Sequence, residues 1–192
     1  HGAFSQRLYN LGFHVSACDL FPEIFEFDKI SCKKVDITKH IDYPDNSFDI
    51  VIAIEVVEHI YDHEIFFSEI NRILRPGGKL YISTPNILSL KSRIRFLKSG
   101  FFYSFNPLDP NNYNGLQHIC SRTVDQYNYI AKKQGFKGAI IEIDKKQHTS
   151  TLLLFLKPFL WLYTKRKKLS TIHNSGKLLL GRLLFMIFIK TK

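Results

Sequence analysis

Four ionisable side chains are the candidates for chemistry in this sequence. Glu55, Glu58 and His59 follow directly on an apolar run that begins at Phe48, and His118 lies further along the chain. Carboxylates and imidazoles can hold a divalent ion, and an imidazole can take a proton from an acceptor hydroxyl near neutral pH. The alternative is structural: Glu58 and His59 then open a helix, and His118 bonds to a loop backbone.

The apolar run over residues 48–54 predicts a strand that positions these groups. Its nearly continuous hydrophobic character is typical of a strand buried on both faces of a parallel sheet. Ligands of open α/β sheets bind at the carboxyl ends of the strands. The polar residues after the run are therefore expected to face a ligand crevice.

The rest of the chain alternates between helix and strand patterns. Helix 4–11 is expected to stop at Gly12, and helix 124–134 has Thr123 and Gln126 spaced as a capping box and Gly135 as its stop. Apolar residues at helical spacing predict a further helix that ends near residue 74. Strands are predicted over residues 13–18, 33–35, 79–84 and 136–144. Such alternation predicts an α/β fold with a doubly wound, mostly parallel sheet.

Composition and charge limit the function classes. With 192 residues, 45% of them hydrophobic, the chain suits one globular domain. Its three cysteines form no C-x-x-C pair, so a reducing compartment is expected. Eleven Lys or Arg and no Asp or Glu follow residue 144, whereas the first 144 residues carry 16 basic and 17 acidic side chains. This charge distribution therefore argues against a nucleic-acid groove across the body.

A set of motifs resembles the class I S-adenosylmethionine-dependent methyltransferases, in the branch that includes ubiquinone-biosynthesis O-methyltransferases. The resemblance implies a Rossmann-like sheet whose antiparallel last strand corresponds to residues 181–190. It also implies that residues 1–192 are a single methyltransferase domain lacking its first strand. The motifs are Asp19, Asp36, Phe48 with Asp49, residues 55–59, residues 74–79 and residues 83–86.

The same resemblance implies the cofactor contacts. Gly2 would be the last glycine of the cofactor-binding turn, Asp19 would accept from the ribose hydroxyls, and Asp36 would accept from the adenine amine. Ile37 would lie against the adenine ring, and Glu55 near the methionine end. NAD is a competing cofactor, because its fold also places an acidic residue after the second strand.

A divalent metal is a further expectation. Glu55, Glu58, His59 and His118 resemble the set with which small-RNA 2′-O-methyltransferases hold Mg²⁺ or Mn²⁺, and ubiquinone-type relatives share the Glu-x-x-Glu-His part. Without a metal, His59 or His118 is the expected catalytic base.

The predicted function is S-adenosylmethionine-dependent methyl transfer to a hydroxyl of a small molecule, lipid or glycan intermediate. The alternatives are an RNA 2′-O-methyltransferase that uses a divalent metal and a non-catalytic cofactor-binding protein. Nothing in the sequence indicates an oligomeric state.

Two segments are expected to serve the acceptor and the location. Residues 86–118 form a long, aromatic connection that predicts a substrate cap. Residues 150–169 combine apolar side chains with the cations at 165–168, which predicts an interfacial helix on an anionic membrane surface. The alternative is a helix packed on the domain or on a second subunit. The expected location is cytoplasmic, with peripheral attachment to the inner membrane face.

Overall fold

The computed structural model describes residues 1–169 and 172–191. These residues group into two compact units, His1–Pro44 and Asp45–Lys192. Each unit contains its own sheet, one of two strands and one of four.

The first unit is small and carries two short parallel strands. It consists of helix α1 (Ala3–Asn10), strand β1 (Ala17–Asp19), a 3₁₀ turn and strand β2 (Cys32–Lys34). The expected helix stop at Gly12 is confirmed, because its φ of 87° is left-handed. Strand β1 is shorter than the predicted strand 13–18, since its pairing with β2 covers only three residues, whereas β2 has the predicted length and begins one residue earlier.

The second unit contains a sheet of four strands in the order β3-β4-β6-β5. Strands β3, β4 and β5 run in one direction, and β6 lies antiparallel between β4 and β5. The predicted antiparallel last strand is thereby confirmed. The elements are β3 (Phe48–Ile54), α2 (His63–Ile73), β4 (Leu74–Pro85), α3 (Leu90–Ser99), α4 (Val124–Lys133), β5 (Ile140–Ile143), α5 (His148–Leu152), α6 (Lys157–Arg166), α7 (Gly176–Leu180) and β6 (Leu183–Ile189).

Strand β3 differs from the expectation of burial on both faces. Alternate side chains, those of Ile50, Ile52 and Ile54, are exposed. Within the described residues β3 pairs with β4 alone, so it lies at an edge of its sheet. Successive side chains of a strand point to opposite faces, so these three isoleucines share one face of β3, and that face is the exposed one.

The predicted substrate cap, residues 86–118, is mostly irregular, whereas the predicted interfacial segment, residues 150–169, is largely helical. Residues 86–118 begin with α3, which packs inward through Leu90 and Ser92 and ends at the left-handed Gly100. Residues 150–169 contain α5, a 3₁₀ turn (Leu153–Leu156) and α6 instead of one helix. In the part of the chain that the structure describes, no helix has the length and apolar character needed to cross a bilayer.

Candidate active site

The carboxyl end of β3 is fixed to the neighbouring strand through Glu55. This residue has a φ of 52°, a left-handed conformation that is strained for a side chain other than glycine. Its backbone N–H lies 3.1 Å from the carbonyl oxygen of Ser83, and the Ser83 hydroxyl donates to Glu55 Oε1 at 2.8 Å. Burial raises the pKa of Glu55, and the hydrogen bond from Ser83 opposes that rise.

Glu58 is a fully buried carboxyl group in the 3₁₀ turn after β3. Its exposed fraction is 0%. Neither carboxylate oxygen of Glu58 has a hydrogen-bond donor within bonding distance and angle among the described residues. Burial, followed by the charge of Glu55, raises the pKa of Glu58 to about 7, although the backbone and Thr84 oppose the rise. A buried carboxyl group without a partner is unfavourable, so the site is suited to bind something that Glu58 can pair with.

His59 and His118 lie side by side next to Glu58. Their ring centroids are 4.7 Å apart. His59 Nδ1 lies 3.0 Å from the carbonyl oxygen of Gln117, so Nδ1 carries the proton and Nε2 keeps a lone pair. Burial and the neighbouring His59 lower the pKa of His118, and its Nδ1 is buried without a partner among the described residues. Both imidazoles therefore present nitrogen lone pairs in one small region.

Three of the four predicted metal ligands converge. Glu58, His59 and His118 each offer one ligand atom, and these atoms lie within 4.8 Å of one another. Glu55 is not a member of this group, and its Oε1 accepts from the Ser83 hydroxyl. The fold therefore brings together two histidines that lie 59 residues apart in the sequence.

Backbone hydrogen bonds hold the His118 segment against the Glu58 turn. The amides of Ile119 and Cys120 donate to the carbonyl oxygen of Glu58 at 2.9 and 3.1 Å. These bonds fix the position of His118 relative to Glu58, and they come from a loop in which the sequence shows no periodic pattern.

His63 and Arg122 form a second connection that the sequence analysis missed. The Arg122 Nε donates to His63 Nδ1 at 3.0 Å, and His63 Nε2 donates to the Val57 carbonyl oxygen at 2.9 Å. Burial and the charge of Arg122 lower the pKa of His63, which keeps this imidazole neutral. No sequence signal could identify this pair, because a histidine at the start of a helix resembles any polar first-turn residue.

An open groove lies beside this connection. It has a volume of about 830 Å³ and is lined by Arg122 and by residues of α2 and α4 that include Gln126 and Tyr129. The fully buried Tyr127 lies on the same helix, and its ring meets that of His63 at 5.4 Å. Helix α4 therefore packs against His63 through Tyr127. The predicted capping box of Thr123 and Gln126 is present at the start of this helix.

The first unit contains the other predicted cofactor residues. Asp19 and Asp36 follow the parallel strands β1 and β2, so both lie at the carboxyl end of one sheet. Asp19 Oδ1 accepts from the Phe21 amide at 2.9 Å. Asp36 Oδ1 accepts from the Thr38 hydroxyl at 2.6 Å, and its Oδ2 lies 3.0 Å from Lys39 Nζ. Hydrogen bonds from Thr38 and Lys39 lower the pKa of Asp36, so this carboxylate is ionised near neutral pH.

Gly2 and Ile37 occupy turns of the same unit. Gly2 has a φ of 84° at the start of α1, and a Cβ there would lie 3.1 Å from the Phe25 ring. Only glycine fits without strain at such a position. Ile37 is partly exposed in the turn after Asp36, which leaves its side chain free to pack on a ligand.

The family model and the relatives to which this chain is similar are methyltransferases. Residues 1–82 match the family model described as a methyltransferase domain. A probable S-adenosylmethionine-dependent methyltransferase of Mycolicibacterium smegmatis is 51% identical over 43 residues, which cover 22% of this chain and 17% of that protein. A ubiquinone biosynthesis O-methyltransferase of Xanthomonas oryzae is 31% identical over 96 residues, 44% of this chain and 39% of that protein. The chain thus covers well under two thirds of these two relatives.

The fold comparison extends over nearly the whole chain. A SAM-dependent methyltransferase from Archaeoglobus fulgidus superposes with a TM-score of 0.62 at 19% identity, covering 98% of this chain and 81% of that one. The resemblance to S-adenosylmethionine-dependent methyltransferases is therefore confirmed, by the sequence of residues 1–82 and by the fold of the chain.

Proposed function

We propose that the protein transfers a methyl group from S-adenosylmethionine to a hydroxyl of a small molecule, lipid or glycan intermediate. The observation that carries this proposal is the convergence of the buried Glu58 with the half-buried His59 and His118 near the carboxyl end of β3. Its place at a strand's carboxyl end suits ligand binding, and its imidazoles suit an acceptor that must lose a proton.

The cofactor roles remain those expected from the sequence. Asp19 accepts from the ribose hydroxyls, while Asp36 accepts from the adenine amine with Ile37 against the ring. The left-handed Gly2 lets the backbone approach the cofactor closely. Glu55 is assigned to the methionine end, where its strained backbone fixes the direction of the carboxylate.

His59 is the best candidate for the base. Methyl transfer is an in-line displacement, so alignment in a water-poor site supplies most of the acceleration. The hydrogen bond from His59 Nδ1 to the Gln117 carbonyl fixes the ring, which leaves Nε2 to take the acceptor proton. Burial lowers the pKa of His118, so that imidazole is neutral and accepts a hydrogen bond near neutral pH.

The test is a transfer assay with S-adenosylmethionine labelled in the methyl group. Lipid, glycan and RNA fractions serve as acceptors for the wild-type protein and for His59→Gln. We expect label in a lipid or glycan fraction, and a rate about 10²-fold to 10⁴-fold lower in His59→Gln. His14→Gln, on an exposed residue of the first unit, is the matched control and should keep the wild-type rate.

The outcomes separate the alternatives. Label in the RNA fraction alone would replace the proposed acceptor by RNA. Cofactor binding without label in any fraction would favour a non-catalytic binding protein. An unchanged rate in His59→Gln would remove this residue from the base role.

As the alternative to a base role of His59, we propose that Glu58, His59 and His118 hold Mg²⁺ or Mn²⁺, with His59 offering Nε2 because its Nδ1 donates to Gln117. Glu55, the fourth predicted ligand, lies outside this group. The residues fit such an ion, because both Glu58 oxygens and His118 Nδ1 are buried without partners among the described residues. Mixed oxygen and nitrogen ligands suit Mn²⁺ better than Mg²⁺. A bound divalent ion would lower the pKa of an acceptor hydroxyl.

Calorimetric titration with Mn²⁺ after dialysis against EDTA tests the metal directly. Wild type should bind one equivalent, and Glu58→Gln should bind at least about tenfold more weakly through loss of a charged ligand. Transfer activity should disappear in EDTA and return with Mn²⁺. Full activity in EDTA together with no heat of binding would show that the site works without metal.

A further inference from the structure

Helix α6 has an unusually exposed apolar surface. None of its ten residues is buried. Phe159 and Tyr163, one turn apart, are 69% and 59% exposed, and Leu162 lies between them at 44%. We call these three residues the outer face of α6. Monomeric proteins rarely leave adjacent large apolar side chains uncovered unless they bind something there.

This exposure does not come from a loosely attached helix. The buried Asn174 accepts from Arg93 Nη1 of α3 at 2.8 Å and donates to the Leu160 carbonyl of α6 at 3.5 Å. Arg93 is itself fixed by the carbonyl oxygen of Leu88 at 2.8 Å. Since Leu160 is attached to the body of the second unit, the opposite side of α6 is held outward.

Exposed apolar side chains continue before α6. Leu152 closes α5 at 67% exposure, and Phe155 in the following 3₁₀ turn is 65% exposed. Trp161, the chain's one tryptophan, is 49% exposed on another side of α6, with Lys165 Nζ 4.7 Å from its ring centroid. The apolar surface thus extends over three successive helical pieces.

Cations border this surface on two sides. Lys165, Arg166, Lys167 and Lys168 end α6 and follow it, and all four are exposed. On another side, Lys91, Arg95 and Lys98 of α3 line an open groove of about 310 Å³ together with Thr149 and Leu153. The sequence contains no Asp or Glu at residues 70–108 or after residue 144. The groove and the α6 cations are therefore suited to anionic groups.

The exposed apolar side chains and the cations beside them together indicate which kind of partner binds this surface. A second copy of the chain is disfavoured, because a two-fold contact would bring the same cations together. A bilayer leaflet with anionic phospholipids satisfies both features, since its phosphates meet Lys and Arg while aromatic side chains enter the headgroup boundary.

We propose that the outer face of α6 and the basic groove of α3 together dock the protein on an anionic membrane surface. Phe159, Leu162 and Tyr163 enter the headgroup region, and Lys91, Arg95 and Lys98 bind lipid phosphate. This proposal does not depend on methyl transfer. The absence of a fully buried residue in α6 favours this proposal over the sequence-based alternative of a helix packed on the domain or on a second subunit.

Sedimentation with vesicles tests the proposal. The 192-residue chain is mixed with vesicles of phosphatidylcholine alone or of phosphatidylcholine with phosphatidylglycerol. We expect binding to the anionic vesicles, which decreases as salt is added. Trp161 gives a second readout, because its fluorescence emission should shift to shorter wavelength when its surroundings become less polar.

Two double variants have matched controls at exposed residues on and after α4. Lys165→Glu with Lys167→Glu should reduce vesicle partitioning by about tenfold or more, whereas Lys132→Glu with Lys137→Glu makes the same charge change elsewhere and should reduce it far less. Phe159→Ser with Tyr163→Ser should also weaken binding, while Tyr129→Ser on α4 should not. All of the substituted side chains, including those of the controls, are exposed.

Several results would overturn the proposal. Equal sedimentation with both kinds of vesicle and an unshifted Trp161 emission would exclude an anionic membrane surface. Equal losses in the Lys165 and Lys132 double variants would show that net charge alone drives binding. Self-association in lipid-free solution that Phe159→Ser with Tyr163→Ser abolishes would assign the outer face to a second copy.

Discussion

At the scale of residues, burial shifts the pKa values of two neighbouring groups in opposite directions, and each shift favours the uncharged form of its group. Burial raises the pKa of Glu58 to about 7 and lowers the pKa of His118. Opposed shifts in neighbouring groups are typical of sites that exchange protons or bind cations. The same burial that perturbs both groups also removes water that would compete for them.

The cofactor residues give the first prediction. Asp19→Ala and Asp36→Ala should each weaken S-adenosylmethionine binding by about 1 to 3 kcal/mol, because each removes a charge-assisted acceptor. Thr38→Val is the control for Asp36, since it removes the 2.6 Å hydroxyl bond within the turn but keeps the carboxylate. Isothermal titration calorimetry measures all three. Wild-type affinity in both aspartate variants would refute the assignment.

The sequence indicated some of these residues better than others. Glu58 and His59 could be predicted because an apolar strand ends just before them, and His118 was included only through the resemblance. The left-handed backbone of Glu55 could not be predicted, since it depends on the hydrogen bonds with Ser83 on the neighbouring strand. His63 and Arg122 likewise meet through tertiary contacts that have no local pattern.

At the scale of elements, local chemistry predicted the helix ends well. The capping box of α4 is present, and Gly135 after it has a φ of 84°. The predicted interfacial helix is instead divided, and Pro158 occupies the first turn of α6, where its missing N–H is tolerated. The length of β1 was overestimated, because pairing with β2 rather than apolar pattern sets where it begins.

The contact between β5 and β6 gives a pH prediction. Asp144 accepts from the Leu183 amide at 2.9 Å and from Arg182 Nε at 2.7 Å. Burial alone would raise the pKa of Asp144, but these donors and the Lys145 amide together lower it below its usual value. The stabilisation is therefore present above about pH 4 and is lost as the pH falls through the lowered pKa.

Asp144→Asn should consequently reduce the free energy of unfolding by about 1 to 2 kcal/mol at pH 7, and by less near pH 3. Urea unfolding at the two pH values measures the difference. Glu142→Gln is the control, because its ion pair with Lys177 is half exposed on both sides and should contribute little. A deficit in Asp144→Asn that is equal at both pH values would contradict the role of ionisation.

At the scale of the whole molecule, the two units differ in core size. Among the described residues, Val35 and Ile41 are the buried hydrophobic side chains of the first unit, whereas the second unit buries a large set around β4, β6 and α2. The hydrophobic contribution to folding grows with the apolar area that is buried. The first unit should therefore open at a lower free energy than the second.

Hydrogen exchange followed by mass spectrometry tests this difference. Amides of β1 and β2 should exchange faster than those of β4 and β6, because their local opening requires less apolar surface to be exposed. S-adenosylmethionine should slow exchange in β1 and β2 if Asp19 and Asp36 bind it, since a ligand that binds only the closed form stabilises that form. Asp19→Ala should reduce this protection by the cofactor while leaving exchange in β4 and β6 unchanged. Equal protection of the two units without cofactor would contradict the difference in core size, and faster exchange with cofactor would contradict the binding roles.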